Sequence, residues 1–250
     1  MLSSIFVESC PACGGATHGG FCAVCSSEFE PIGAACIRCG LPLPVAHCPA
    51  RRTPWLVDAI VAPLRYGAPL DDYVHALKYR GARSLGRAFG LLIADAARAP
   101  ASRLDALVAV PLHRSRRATR GYNQAYEIAR TLARELGVPL VTRGITRQRA
   151  GDALARQGVA QRRASVAHAF RVTRNLTGLR LAIVDDVVTT GATVNALAAE
   201  LRAAGAAACI AIAVARTQEP MSASGAEGVV EHDAGEHGAA EPGVVQKCAE

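Results

Sequence analysis

A chain of 250 residues, half of them apolar but only 4% aromatic, has room for one medium domain plus a small module, filled by Ala, Leu and Val rather than by rings. That filler suits helices over a buried parallel sheet and argues against an aromatic-rich β protein. The net charge of +7 is uneven: residues 1–216 hold 27 basic and 14 acidic side chains, and His113 to Arg174 holds fourteen arginines against Glu127, Glu135 and Asp152, a field that draws phosphates on small substrates or nucleic acid.

The first ten residues carry no basic run and no long apolar core, and no apolar stretch approaches the roughly 18 residues of a spanning helix. No membrane insertion and a cytoplasmic location are expected. Seven of the nine cysteines precede residue 49. Cys10-x2-Cys13-x8-Cys22-x2-Cys25 is a paired knuckle: each tight turn presents two thiolates, and two turns complete a tetrahedron around zinc. The pattern recurs at an offset of 26 as Cys36-x2-Cys39-x8-Cys48, with Arg51 where the fourth cysteine would fall. Three arrangements suit this second repeat: zinc with His47 or water as fourth ligand, an empty site, or knuckles paired across the two repeats. Arg51 is no ligand, and its charge opposes a nearby cation. The zinc is structural, since so short a segment with so few apolar residues gains its fold from the metal. Residues 8–53 form this double module.

Apolar content rises after Thr53. Residues 58–64 read as a strand, and Leu70, Val74 and Leu77 mark a helix through Tyr79. Ser84 is placed as the cap of a helix with Leu85, Phe89, Leu92 and Ile93 on its inner face, ending at Pro100. Residues 105–111 read as a buried strand followed by an Arg-rich loop. A helix follows with Tyr122, Tyr126, Ala129, Leu132 and Leu136 on one face and Gly137 at its end. Val138–Val141 is a short apolar segment. Residues 146–168 are polar and poorly periodic, long enough to suggest a functional or mobile loop. Leu181–Val184 is a strand, Val194 to Leu201 a helix ended at Gly205, and Ala208–Val214 a strand, with Cys209 in the core. This alternation predicts an α/β domain with a mainly parallel sheet over residues 54–217. Residues 218–250 lack periodicity and read as a disordered tail.

The most informative segment is Asp185-Asp186-Val187-Val188-Thr189-Thr190-Gly191-Ala192-Thr193. An apolar strand delivers two acids at its carboxyl end, where ligands bind in open α/β sheets. A small, hydroxyl-rich loop then opens a helix. Gly191 allows close backbone approach, and Thr189, Thr190 and Thr193 with helix N–H groups can cradle a phosphate. The acids would repel a phosphate at contact distance; one sugar length away they accept hydrogen bonds from ribose hydroxyls. No G-x-x-x-x-G-K-[ST] or G-x-G-x-x-G sequence offers another nucleotide loop.

This segment resembles the 5-phosphoribosyl-1-pyrophosphate (PRPP) motif of type I phosphoribosyltransferases. The resemblance implies that Asp185 and Asp186 bind the ribose hydroxyls and that Thr189 to Thr193, with Gly191 and Ala192, bind the 5-phosphate. It also implies a pyrophosphate loop at His113, Arg114, Arg116 and Arg117, often working with Mg²⁺, and a lid bearing Gln157, Arg162 and Arg163. Arg116 and Arg117 would neutralise charge on a leaving pyrophosphate.

Together with the knuckles, Leu77-Lys78-Tyr79, Val110-Pro111-Leu112 and Arg120-Gly121-Tyr122-Asn123-Gln124, these blocks resemble the ComF/GntX-type family over residues 8–216. The resemblance implies the type I phosphoribosyltransferase fold behind a zinc ribbon, and a link to natural competence, with uptake and handling of single-stranded DNA. Two positions depart from the family pattern: Arg51, which bears on a second zinc, and Ser165, where the family carries Asn. Purine-salvage relatives carry an acid where this chain has Thr189, so that general base is absent and purine salvage is not supported. Two functions follow: a PRPP-binding protein of DNA uptake, or a phosphoribosyltransferase on an unidentified acceptor. Lys78 is placed equally as a phosphate contact or a helix-surface residue. Asn123 and Gln124 cap their helix or bind an acceptor, and Arg216 lies at the site rim or on plain surface.

Overall fold

The computed structural model describes residues 7–45, 47–51, 54–101, 103–148 and 169–218. The predicted lid residues Gln157, Arg162 and Arg163, and the predicted tail beyond Gln218, lie outside them.

Six strands form a parallel sheet: β3 (Ala59–Val61), β4 (Leu64–Arg65), β5 (Ala106–Ala109), β6 (Leu140–Val141), β9 (Arg180–Val188) and β10 (Ala208–Arg216). Their order is β3-β10-β9-β5-β6, with β4 pairing β10 further along the same edge. The alternation of strand side chains sorts the core into two layers. Leu107, Ala182, Val184, Ile212 and Val214 face one side. There they meet α2 (Leu70–Tyr79), α3 (Ser84–Leu92), α4 (Ala94–Ala101) and α6 (Gln124–Leu136). Val108, Leu181, Ile183, Ala211 and Ala213 face the other, against Val194, Leu197 and Leu201 of α7 (Ala192–Ala203). Each large side chain buried this way contributes about 1.5–3 kcal/mol of transfer free energy. A mainly parallel α/β sheet is therefore the architecture, as predicted.

Several elements differ from the sequence reading. The strand placed at residues 58–64 is two strands, because Pro63 lacks an N–H for the ladder; its carbonyl instead accepts from Ile32 N at 2.7 Å. The helix placed from Ser84 to Pro100 breaks at Ile93, and Pro100 lies inside α4 rather than ending it. Ser84 is the first helical residue, and the N-cap position belongs to Arg83. The Arg-rich loop is a helix, α5 (Arg114–Arg120), capped by the His113 side chain, which accepts from Ser115 N. The strand placed at 181–184 runs to Val188, because β10 continues to Arg216 and pairs with it beyond the end of β5. On either side of the long polar segment, β7 (Ile145–Arg147) and β8 (Phe170–Val172) pair antiparallel.

The packing of α3 on α6 is set by two glycines. A Cβ at Gly86 would overlap the Cβ of Glu127, and one at Gly90 would stand 2.6 Å from the Cβ of Thr131. One turn apart, they bring the two backbones together.

The first knuckle includes the ribbon β1 (Glu8–Ser9) with β2 (Ala16–Thr17) and the short α1 (Ala23–Ser27). Phe21 fixes it to the domain, with ring centroids 5.0, 5.5 and 5.4 Å from Phe29, Tyr73 and Phe89. Glu8 pairs with Arg87 of α3. The second knuckle joins the sheet edge, with Ile60 N donating to Ile37 O at 2.8 Å.

Candidate functional site

The Sγ atoms of Cys10, Cys13, Cys22 and Cys25 lie within 4.8 Å of one another. Cys13 and Cys22 Sγ are 3.7 Å apart. Four thiolates at about 2.3 Å from a tetrahedral zinc would stand about 3.8 Å apart, so the donor set fits that ion. Backbone N–H groups already face the sulfurs: Cys22 N to Cys10 Sγ and Gly15 N to Cys13 Sγ, each at 3.4 Å. Burial of Cys10 opposes ionisation, but the N–H groups of Cys22, Cys13 and Ala12 and the Cys13 thiol outweigh it and bring the thiol down to about 6. Thiolate, the ligating form, is thereby favoured at one corner.

Cys36, Cys39 and Cys48 form a second group, all buried, with Sγ atoms inside the same 4.8 Å. The turn is closed by Gly40 N to Cys36 O at 2.8 Å and Cys36 N to Leu41 O at 2.9 Å. His47 is exposed and lies outside this group, as does the exposed Arg51. Three soft donors suit a thiophilic ion with one position left for another ligand.

The two acids lie where β9 outruns β5. Ala109 is paired with Val184, and Val110 N donates to Val184 O at 2.9 Å. Beyond that point β9 has only β10 beside it among the described residues, so one flank of Asp185 and Asp186 is left open by the sheet. Asp186 is buried, at 3% exposure. Its Oδ1 takes Lys78 Nζ at 3.0 Å and Val187 N at 2.7 Å, and its Oδ2 has no partner among the described residues. Asp185 is partly exposed, and its Oδ1 accepts from Asp186 N at 2.9 Å. Burial and the adjacent Asp186 charge push Asp185 up to about 7, against the pull of Lys78 and Arg147. Lys78, in the last turn of α2, is thus paired with Asp186 and only partly exposed.

Thr189 and Thr190 follow, both exposed, and Ala192 N donates to Thr190 Oγ1 at 3.3 Å. Gly191 has φ +80 and is the N-cap of α7. A Cβ there would overlap the ring of Trp55, so both backbone conformation and space require glycine. The first intrahelical bond runs from Asn195 N to Gly191 O at 2.9 Å, which leaves the N–H groups of Thr193 and Val194 ahead of it, directed at the loop. The Asn195 side chain holds the segment leading from the second knuckle, accepting from Leu56 N at 2.6 Å and donating to Pro54 O at 2.9 Å.

Arg216 is fully buried, contrary to its placement at a rim or surface. Its Nε donates to Cys39 O at 2.9 Å. Its Nη1 donates to Val188 O at 3.2 Å, to Thr217 O at 2.9 Å and to Thr189 O. Sequence reasoning missed this role because an arginine after an apolar strand carries no sign of whether it turns in or out. The Trp55 Nε1 donates to Arg38 O at 3.1 Å, inside the second knuckle.

Helix α5 divides the arginines that were assigned to one loop. Arg116, Ser115, Thr119 and Arg120 line a cavity of about 670 Å³ together with Lys78 and Tyr79. His113, Arg114 and Arg117 line a second cavity, about 700 Å³, with Tyr122, Tyr126 and an apolar floor that includes Val108 and Val141. Asn123 caps α6 through Ala125 N at 3.1 Å and also donates to Val110 O at 3.0 Å, which binds the start of α6 to the end of β5. Tyr122 Oη donates to Leu77 O, and the Arg120 guanidinium lies 5.1 Å from the Tyr79 ring centroid. These contacts join the Leu77-Lys78-Tyr79 and Arg120–Gln124 blocks into one wall.

The family model of the phosphoribosyl transferase domain matches residues 122–227. The DNA utilization protein YhgH of Salmonella typhimurium is 34% identical over 201 residues, covering 76% of this chain and 88% of the relative. Its Escherichia coli counterpart is 34% identical over 210 residues, covering 80% and 92%. Competence protein F of Haemophilus influenzae is 29% identical over 220 residues, covering 82% and 95%. Among solved structures, the glutamine PRPP amidotransferase from B. subtilis overlaps 53% of this chain but only 26% of its own, at 22% identity and a TM-score of 0.39. On the strength of the sequence relatives, the chain belongs to the ComF/GntX-type family, that of YhgH and competence protein F.

Proposed function

We propose that this chain binds PRPP at Asp185, Asp186 and Thr189–Thr193 and serves single-stranded DNA handling in DNA uptake. The observation that carries the reading is Asp186. A buried carboxylate with one oxygen on Lys78 and the other without a partner among the described residues is a strong acceptor for a donor hydroxyl. A sugar hydroxyl supplies that donor to Oδ2. The exposed threonines and the first N–H groups of α7 then suit the 5-phosphate. The cationic cavity beside Lys78, with Arg116, suits the pyrophosphate, which Mg²⁺ would accompany and screen. The phosphoribosyl transferase domain match supports this use of the site, and the names of the relatives support the DNA role. On this reading residues 8–53 are a zinc-holding module, with Cys10, Cys13, Cys22 and Cys25 as ligands, on a domain spanning residues 54–217.

Calorimetric titration of PRPP with Mg²⁺ into the protein and into the Asp185→Ala/Asp186→Ala variant tests the reading. Binding is expected in the first and lost in the second; equal affinity would remove the acids from the site.

A second reading, transfer of phosphoribose to an acceptor, is favoured by the second cavity. Its apolar floor, Tyr122, Tyr126 and flanking arginines suit a planar anionic group beside the sugar site. Pyrophosphate release from PRPP across an acceptor panel distinguishes the readings: turnover with any acceptor supports transfer, and binding without turnover supports a sensing or gating role.

A further inference from the structure

We infer that the Cys36–Cys39–Cys48 cluster is a metal site coupled to the threonine loop, so that a thiophilic divalent ion there and PRPP at Asp185–Thr193 each strengthen binding of the other. The inference rests on the PRPP reading of that loop and adds a regulator to it.

Two separate contacts join the cluster to the loop, and both end on the Cys36-x2-Cys39 turn. The first is Arg216, whose single guanidinium bonds Cys39 O on one side and Val188 O and Thr189 O on the other. Its complete burial leaves it little room to take a different pose. The second is Trp55, which bonds Arg38 O through Nε1 and lies against Gly191, where the loop enters α7. Arg38 and Cys39 are the peptides whose geometry a bound ion fixes, because Cys36 and Cys39 must turn both sulfurs to one centre. Movement of that turn therefore shifts the carbonyl that positions Arg216 and the ring that floors the loop.

The donor set suits the role. Three buried sulfurs inside 4.8 Å supply three corners of a tetrahedron, and His47 and Arg51 lie outside the group. With three protein ligands among the described residues, an ion there keeps an exchangeable fourth position, unlike one closed by four. The first cluster lies off this path. Its module rests on α2 and α3 through Phe21 and the Glu8–Arg87 pair, at a different place from the loop.

Linkage makes the coupling reciprocal, with factors of about 5–150 typical for such site pairs. Trp55 is the only tryptophan of the chain and sits at the junction, so its fluorescence reports both ligands. The full chain is titrated with zinc against a chromophoric chelator, with and without saturating Mg²⁺–PRPP. The affinity of the Cys36 cluster is expected to rise about tenfold with PRPP. PRPP affinity is expected to fall by the same factor in Cys36→Ser and to stay unchanged in Val24→Ala, an exposed position of α1 in the first knuckle. Trp55→Phe keeps every thiol and loses the bond to Arg38 O; it is expected to retain zinc stoichiometry and to reduce the coupling factor severalfold. Zinc affinity indifferent to PRPP in the unaltered chain would overturn the coupling and leave the PRPP reading intact. PRPP that binds in no form would overturn both.

Discussion

Lys78 Nζ stands 3.0 Å from Asp186 Oδ1 and joins the last turn of α2 to the buried strand beneath the site. Removing the cation leaves a carboxylate buried without its charge partner. Lys78→Ala is expected to destabilise the fold by about 2 kcal/mol, less than the roughly 3–5 of a fully enclosed pair because Lys78 keeps some exposure. Chemical denaturation measures this, and Lys78→Ala/Asp186→Asn is expected to recover most of the loss. PRPP affinity should not recover with it, since a role on phosphate is separate from a role on Asp186.

Asp185 gives the site a pH dependence. Its folded pKa of about 7 lies above the ordinary 3.8, so the folded chain holds this proton more tightly than the unfolded chain. The stability it contributes is complete below about pH 4 and is lost as pH rises to about 7. Ligand binding runs the other way. Hydroxyls donating to Asp185 favour its ionised form, so PRPP affinity is expected to rise between pH 6 and 8 with release of a proton on binding. Calorimetry in buffers of different ionisation enthalpy reads that proton, and Asp185→Asn should remove it.

Gly86 tests the helix pair that supports α6. A methyl group there meets the Cβ of Glu127, and Glu127 is itself held by Arg83 and Arg130. Gly86→Ala is expected to cost about 1–3 kcal/mol by overpacking, despite alanine's better helix propensity. Thermal denaturation would show it as a lower Tm; an unchanged or higher Tm would mean that α3 and α6 can separate freely.

The division of arginines by α5 predicts separable effects on nucleic acid. Among the described residues Arg114 and Arg117 show no ion-pair partner, and both border the second cavity beside Tyr122 and Tyr126. If they hold the backbone of a single strand, each substitution by Ala lowers the slope of log affinity against log salt by about 0.7. PRPP affinity should change little in the same variants, and more in Arg116→Ala, which borders the cavity shared with Lys78.

The acids, the threonine loop, Gly191 and both cysteine groups could be read from sequence because each rests on local spacing. Core strands and long helices were also legible, since their apolar residues recur at periods of 2 and 3.6. Helix α5 was not, because Arg-Ser-Arg-Arg-Ala-Thr-Arg has no apolar stripe, and none of its residues is buried. Its remaining signals were the capping His113 and the terminating Gly121. The extension of β9 past Val184 depends on how far β10 runs beside it, which is a property of the pair. Arg216 and Trp55 were unreadable for a similar reason. Their partners, Cys39, Arg38 and Gly191, are remote in sequence, and no local pattern records such a meeting.

The position of β10 between β3 and β9 also has a consequence for synthesis. Strand β3 waits for a neighbour made on the order of 150 residues later, a long loop to close before the edge is paired. During translation the two cysteine turns emerge first and can take metal early, whereas Arg216, which ties one of them to the threonine loop, emerges after every other strand of the sheet. A growing chain thus spends most of its synthesis with β3 and β4 lacking their β10 partner, and the flank of β9 that meets β10 joins them once residue 188 is made, open to strand-edge association. Chaperone capture should therefore be greatest for nascent chains arrested between residues 188 and 208, and should drop once Arg216 has cleared the ribosome.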